Sequence, residues 1–294
     1  MNTVQATIYG AKLLIHLLLG HNPIISAKST MNERLDILGN ARPAVGEQVK
    51  LQILTVGNRG HRYKPGQDGI ALTSIIDHTA NHAAEYHPMP FCMRAVNDDI
   101  PLASRNKYAL RKEEMHGGQN YYAYYGLRLN ISPDQAPVNM KKITREDGTV
   151  IETPFIPATS DLFPEAIELP DTGAITTTDV RLAASAIINV VLSENDIEEY
   201  VNCAKIIYGG DERYAIMSEF GLCTAADRQV SVQSTAGTIN FIEAIGTQIY
   251  SFAADHKALY YNSQELTLDF DIGNQVPMLA TASIPTLETI GSTT

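Results

Sequence analysis

The chain has 294 residues, 44% of them apolar and 19% charged, which excludes a disordered polymer and suffices for one large domain or two smaller ones. Its 22 basic and 33 acidic residues give a formal charge of −11, which excludes broad binding to a phosphate backbone. An acidic ring lumen, through which nucleic acid slides without sticking, remains compatible with that charge.

Cys92, Cys203 and Cys223 are odd in number and far apart, so they read as buried small hydrophobes in a reducing compartment, not as a disulfide or zinc framework. The apolar run Leu13 to Leu19 is broken by His16 and is too short to span a bilayer. Only Lys12 precedes it and no small-x-small cleavage site follows, so a signal peptide is not expected.

In chain order, Val4, Ile8, Ala11, Leu14/Ile15 and Leu18 recur at helical spacing, and Gly20 with Asn22-Pro23 stops the pattern. This N-terminal helix is apolar almost all round, so it needs burial, as a core helix or as an arm in a neighbouring subunit. Val49, Leu51 and Ile53 then alternate as a strand closing at Gly57-Asn58. Residues 121–131 carry a period of two, with Tyr121, Ala123, Tyr125, Leu127, Leu129 and Ile131 on one face. Lys107 to Met115 supplies a partner strand, and His116-Gly117-Gly118 the turn of a hairpin. Residues 132–178 are punctuated by Pro133, Pro137, Pro154, Pro157, Pro164 and Pro170, with one compact hairpin signal at Asp147-Gly148. So long a stretch with little regular structure points to support from outside the domain. Leu182 to Leu192 reads as a buried strand, and Ser193 with Asp196 as a capping box opening a helix near 194–207. Ile197, Tyr200, Val201 and Ala204 form its apolar stripe, and Gly209-Gly210 lies past its end. Tyr214 to Leu222 is a strand, and Leu266, Leu268, Phe270 and Ile272 line one side of another.

The fold expected is α+β and strand-dominated: a β-sandwich or barrel-like core with an N-terminal helix and a proline-rich extended segment. Its parts are 1–131, a helix plus a β-rich portion; 132–178, an extended arm or insertion; and 179–294, β-rich with one helix, which joins 1–131 if the core is single.

Chemistry-bearing patterns are sparse. Asp77, His78, His82, Glu85 and His87 cluster, and His78 and His82 would share one helix face as zinc ligands do. Thr79 stands where a metalloprotease needs glutamate, so His78, His82 and Glu85 are weak metal candidates and no metal or cofactor is expected. Asp269 to Asn274 imitates a calcium loop, but its glycine comes one position early and Ala280 stands where the bidentate glutamate belongs. There is no P-loop and no nucleophile elbow, and adjacent carboxylates such as Asp98-Asp99 and Glu113-Glu114 would point to opposite faces of a strand. No catalytic residue is assigned. Tyr121, Tyr122, Tyr124 and Tyr125 offer stiff contact area as an interface, or the two faces of a strand buried in the subunit; carbohydrate stacking is a third use.

Several segments resemble tailed-bacteriophage virion structural proteins. They are Gly57-Asn-Arg-Gly60-His61; Pro90-Phe91 with Arg94 and Asp98-Asp99-Ile100; Arg105 to Arg111; Gly118 with Tyr121 to Tyr125; and Ala215 to Glu219. The likeness spans roughly residues 57–223 and is one of general pattern. It implies a component of the neck, head-to-tail connector or baseplate, assembled in the host cytoplasm. Its implied partners are copies of itself in a ring and neighbouring portal, tail or baseplate proteins, with no membrane and no specific nucleic-acid recognition. Two alternatives stand beside this non-enzymatic ring subunit: a receptor- or glycan-binding tail protein, and a metal-dependent hydrolase using His78, His82 and Glu85.

Overall fold

The computed structural model describes residues 4–37, 43–65, 71–146, 148–165, 173–234, 237–260 and 264–283. Its elements are β1 (Gln5–Ala6), α1 (Ile8–Leu18), α2 (Met31–Arg34), β2 (Val49–Gly57), β3 (His61–Pro65), β4 (Ala71–Ile75), β5 (Pro88–Met89) and β6 (Cys92–Ala95). There follow α3 (Leu102–Arg105), β7 (Tyr108–His116), β8 (Gln119–Arg128), β9 (Asn139–Glu146), β10 (Thr149–Pro154) and β11 (Gly173–Leu192). The series ends with α4 (Glu194–Ile207), β12 (Ile216–Ser234), β13 (Gly237–Ala258) and β14 (Leu266–Ser283). Strands prevail, the fold is α+β, and no sheet closes into a barrel among the described residues.

The chain divides into two units, the first from Met1–Ser132 and Asn189–Phe270, the second from Pro133–Ile188 and Asp271–Thr294. The first is built on a sheet ordered β1-β13-β12-β2-β8-β6, with β5 added on β2 and β7 on β8. Its backbone is the long antiparallel pair β12–β13, bulged between Met217 and Glu219 and again between Leu222 and Cys223 and between Thr224 and Ala226. Bulges re-aim side chains, and the first of these directs the functional centre described below. The core gathers Ile53, Met93, Leu110, Tyr125, Cys223, Ile249 and Phe252 with Met31 from α2 and Cys203 from α4. Cys92, Cys203 and Cys223 are all buried and free.

The β7–β8 hairpin forms where the sequence predicts it. His116 pairs with Gln119, so Gly117-Gly118 makes a two-residue turn at φ 58° and 82°, left-handed values that glycine adopts without steric cost. β8 stops at Arg128 and is buried from Ala123 to Leu127, with β7 paired along one edge and β6 and β2 along the other. α4 also opens as expected: Ser193 Oγ accepts from Asp196 N at 3.3 Å while the Asp196 carboxylate accepts from Ser193 N at 3.2 Å.

The N-terminal helix differs from its prediction. Residues 4–7 are extended, with Gln5 and Ala6 paired to Phe252 and Ser251, and the helix starts only after Thr7, whose side chain caps Gly10 N. Its inward face is Gly10 and Leu13, not the Ile8/Leu14/Leu18 stripe. Gly10 decides this, because a Cβ there would lie 2.7 Å from the Tyr250 backbone oxygen and ring; only glycine lets the helix lie so close to β13.

In the second unit the sheet order is β10-β9-β11-β14. Segment 132–178 is thus not an irregular arm throughout: β9 and β10 pair from Thr149↔Glu146 to Pro154↔Lys141, and β11 joins β9 by Arg181↔Ile143 to Ser185↔Asn139. Asp147 of the hairpin turn, and 166–172, lie outside the described residues. Apolar side chains of this unit remain exposed, Phe163 at 77% among them with Ile156 and Leu162. The Asp269–Asn274 segment forms part of β14 and not a loop, its aspartates engaged by Asn189 Nδ2 at 2.8 Å and Lys141 Nζ at 3.3 Å.

Candidate functional site

The bulge before Glu219 turns its carboxylate onto the sheet face that also carries Thr55, Gly221 and Cys223. The segment holding His78 and Glu85 lies on this face. Glu219 and His78 have fully buried side chains, joined at 3.0 Å between Oε2 and Nε2. The amide of Arg59 donates to Glu219 Oε1 at 3.0 Å and that of Tyr86 donates to Oε2. A buried carboxylate is tolerable only when donors replace its water, and these three do so. The His78 ring is held between Phe252, centroids 3.7 Å apart and nearly parallel, and Tyr86 at 4.5 Å.

Small residues make the room. A Cβ on Gly57 would sit 2.6 Å from Glu219 Oε1, and one on Gly60 would sit 2.4 Å from Glu219 Cγ. The glycines of the Gly57–His61 turn therefore exist to admit Glu219. Glu85 occupies the adjoining site, its Oε1 accepting from the Thr55 hydroxyl, and its Oε2 has no hydrogen-bond partner. Burial pushes the Glu85 carboxyl up to about 7; neighbouring Glu219 adds to this and the Thr55 bond opposes it. A neutral carboxyl, favoured below about pH 7, leaves an unpartnered oxygen at lower cost than a carboxylate would.

His78 and His82 do meet, but on irregular chain and not on a helix, with their Nδ1 atoms 3.1 Å apart. His78 Nε2 faces Glu219 and its Nδ1 faces His82, so both nitrogens of His78 are engaged within the protein. Glu85 turns instead to Thr55, and no group of three or more His, Cys, Asp or Glu side chains could hold a metal among the described residues. His82 is kept below the usual histidine range by burial and by His78. The centre is a sealed polar lock that ties the Gly57–His61 turn and the 77–86 segment to β12. Sequence inspection found His78 and Glu85 but missed Glu219, which lies 141 positions from His78 and carries no local signal.

The four tyrosines are not presented together. Tyr124 and Tyr125 lie inside the subunit, and Tyr121 and Tyr122 are half-buried. Tyr124 donates to Asp99, which also receives Arg111 Nη2 at 2.6 Å and Arg105 Nη2 at 2.7 Å, while the Arg111 guanidinium lies 3.5 Å over the Tyr122 ring. Tyr125 donates to Glu114 Oε1 at 2.8 Å. Burial comes first in raising the Tyr124 hydroxyl to about 12, with the Asp99 bond adding to it. The segments 98–111 and 121–125 thus meet at Asp99, as 57–61 and 215–219 meet at Glu219.

What the first unit does present is the outer face of α1. Ile8, Leu14, Ile15, Leu17 and Leu18 are exposed, Leu18 at 82%, and Leu19 and Ile24 extend the patch. No described helix is long and apolar enough to cross a membrane.

No curated protein and no solved structure matches the chain. One family pattern does match, over residues 1–286, and by that extent the chain belongs to the family of unknown function DUF7208.

Proposed function

We propose that the protein is a structural subunit of a tailed-bacteriophage virion, assembled from copies of itself into a ring at the neck or head-to-tail connector. The exposed apolar face of α1 carries this reading. A helix apolar on both sides, with only Gly10 and Leu13 covered, leaves side chains that water penalises and a second subunit would shelter. Covering the half-exposed leucines and isoleucines would contribute about 1 kcal/mol each, on the order of 5 kcal/mol for the face. Exposed Ile156, Leu162 and Phe163 in the second unit extend the same argument to segment 132–178. Symmetric closure repeats one interface many times, so modest faces suffice.

The protein acts through surfaces and not through catalysis in this reading. The acid–histidine centre described above is sealed, with Glu219 and His78 side chains at 0% exposure. The alternative position is the baseplate or tail. Negative-stain images of the purified protein at high concentration test the proposal: closed rings are expected, and a field of single subunits at every concentration would contradict it. Limited proteolysis adds a local readout, with cleavage within 132–178 suppressed in the assembled form relative to dissociated subunits.

A further inference from the structure

A second feature of the first unit stands apart from the apolar helix. Beyond α4, Gly209 and Gly210 turn the chain at φ 64° and 96° and bring Tyr208 beside Tyr214, ring centroids 4.2 Å apart and stacked. Asn58, itself only 5% exposed, spends its amide on this pair: Nδ2 donates to the Tyr208 hydroxyl at 2.9 Å and to the Tyr214 carbonyl at 3.2 Å. A buried amide thus fixes an aromatic wall whose outer ring, Tyr214, is 48% exposed. Tyr63, 56% exposed and propped edge-on by His61 at 5.2 Å, contributes a second aromatic face. Between them lies an open cleft of about 550 Å³, rimmed by Arg59 and Asp211. That volume falls within the roughly 300–1,000 Å³ of small-molecule sites.

The chemistry of the lining selects among ligands. Rigid, exposed tyrosine faces suit flat C–H or π surfaces, and their hydroxyls suit polar edges. Asp211 accepts from Arg213 N at 3.0 Å and Nε at 2.9 Å through Oδ1 and from Nη2 at 2.7 Å through Oδ2, which leaves the fourth acceptor position of the carboxylate for an incoming hydroxyl. The Arg213 contacts hold Asp211 below the usual carboxylate range, so it stays an acceptor at neutral pH. A wholly apolar ligand would strand these polar groups. A nucleic acid would bring a backbone of phosphates to a chain of charge −11, against which the cleft offers Arg59 and Arg213 beside Asp211. A sugar supplies an apolar C–H face for the rings, hydroxyls for Asp211 and oxygen acceptors for the arginines.

We propose that this cleft is a saccharide-binding site, with Tyr214 and Tyr63 stacking on the sugar and Asp211 accepting from its hydroxyls. Asn58 is a positioning residue that fixes Tyr208 and, through the Tyr214 carbonyl, the wall. The site rests on no part of the ring assignment.

The test is a printed array of neutral and acidic oligosaccharides, followed by calorimetric titration of the best binder into wild-type protein and variants. Tyr214→Ala and Asp211→Asn should each weaken binding at least about tenfold, the scale of losing one aromatic stacking partner. Tyr214→Phe, which keeps the ring, should bind within a few-fold of wild type, as should Tyr122→Ala, which lies outside the cleft. Should Tyr214→Ala fail to fold, Asp211→Asn and Tyr214→Phe carry the decision, because neither removes the ring. No binding to any oligosaccharide on the array would overturn the proposal. So would binding indifferent to Asp211→Asn, or displacement of the bound sugar by an oligothymidylate probe.

Discussion

Glu219 concentrates the demands of the fold in one carboxylate. Its side chain is fully buried and receives three donors, one from the Gly57–His61 turn and two from the 77–86 segment. Removing it by Glu219→Ala strands those donors, and the expected cost is about 3–5 kcal/mol in urea unfolding. Gly60→Ala approaches the same site from the other side: its Cβ would overlap Glu219 Cγ and the Ser218 carbonyl, and it should cost about 2 kcal/mol through overpacking. Glu85 makes the centre sensitive to pH. Its folded carboxyl titrates near 7 against an ordinary 4.5, so the folded state holds a proton that the unfolded chain releases. Below pH 4.5 both states are protonated and Glu85 carries no penalty; as pH rises to about 7 stability falls, then levels off. The span corresponds to on the order of 3 kcal/mol. His61, His82 and His87, all held below the usual histidine range, act in the opposite sense, losing stability as pH falls. The informative measurement is therefore the difference between wild type and Glu85→Gln. The variant should gain on wild type across this range, and parallel curves would refute the assignment. Half of this centre was visible in the sequence, since His78, His82 and Glu85 cluster within eight positions of one another. Their geometry was not, because no helix forms there and their decisive partners, Glu219, Thr55 and Phe252, come from distant strands.

At the level of elements, legibility followed the range of the forces involved. The β7–β8 hairpin and α4 are specified by neighbours: a Gly-Gly turn, a capping box, a terminal glycine pair. Ser193→Ala should accordingly cost about 1 kcal/mol, read as a shift in the urea midpoint, because it removes a side-chain acceptor from the first turn. The tyrosine strand is legible as a strand but not as a surface, because what covers Ala123 and Tyr125 comes from elements distant in sequence, among them Met31, Cys203 and Phe252. α1 forms as the sequence indicates, but its inward face is set by a feature the sequence does not advertise. A helix apolar almost all round does not say which side faces inward, and the close approach to Tyr250 is set by a residue with no side chain, Gly10. The partnership of β9 with β11 was equally hidden, although the β9–β10 hairpin itself shows in the Asp147-Gly148 signal.

For the whole molecule, the exposed apolar helix and the net charge pull against each other. Copies carrying −11 each repel, while the outer face of α1 gains from being covered. Salt screens the repulsion and leaves the apolar contribution, so self-association should tighten as ionic strength rises from about 0.05 to 0.5 M. A weakening over that range would indicate contacts made by ion pairs instead. Leu14 and Leu18 stand one helical turn apart on the exposed face, where substitution leaves the subunit interior untouched. Native mass measurement of wild type beside Leu14→Glu/Leu18→Glu, at matched concentration, bears most directly on the account. A closed oligomer for wild type and a folded single subunit for the double variant are the results expected; a single subunit for both, or an oligomer untouched by the two glutamates, would contradict it.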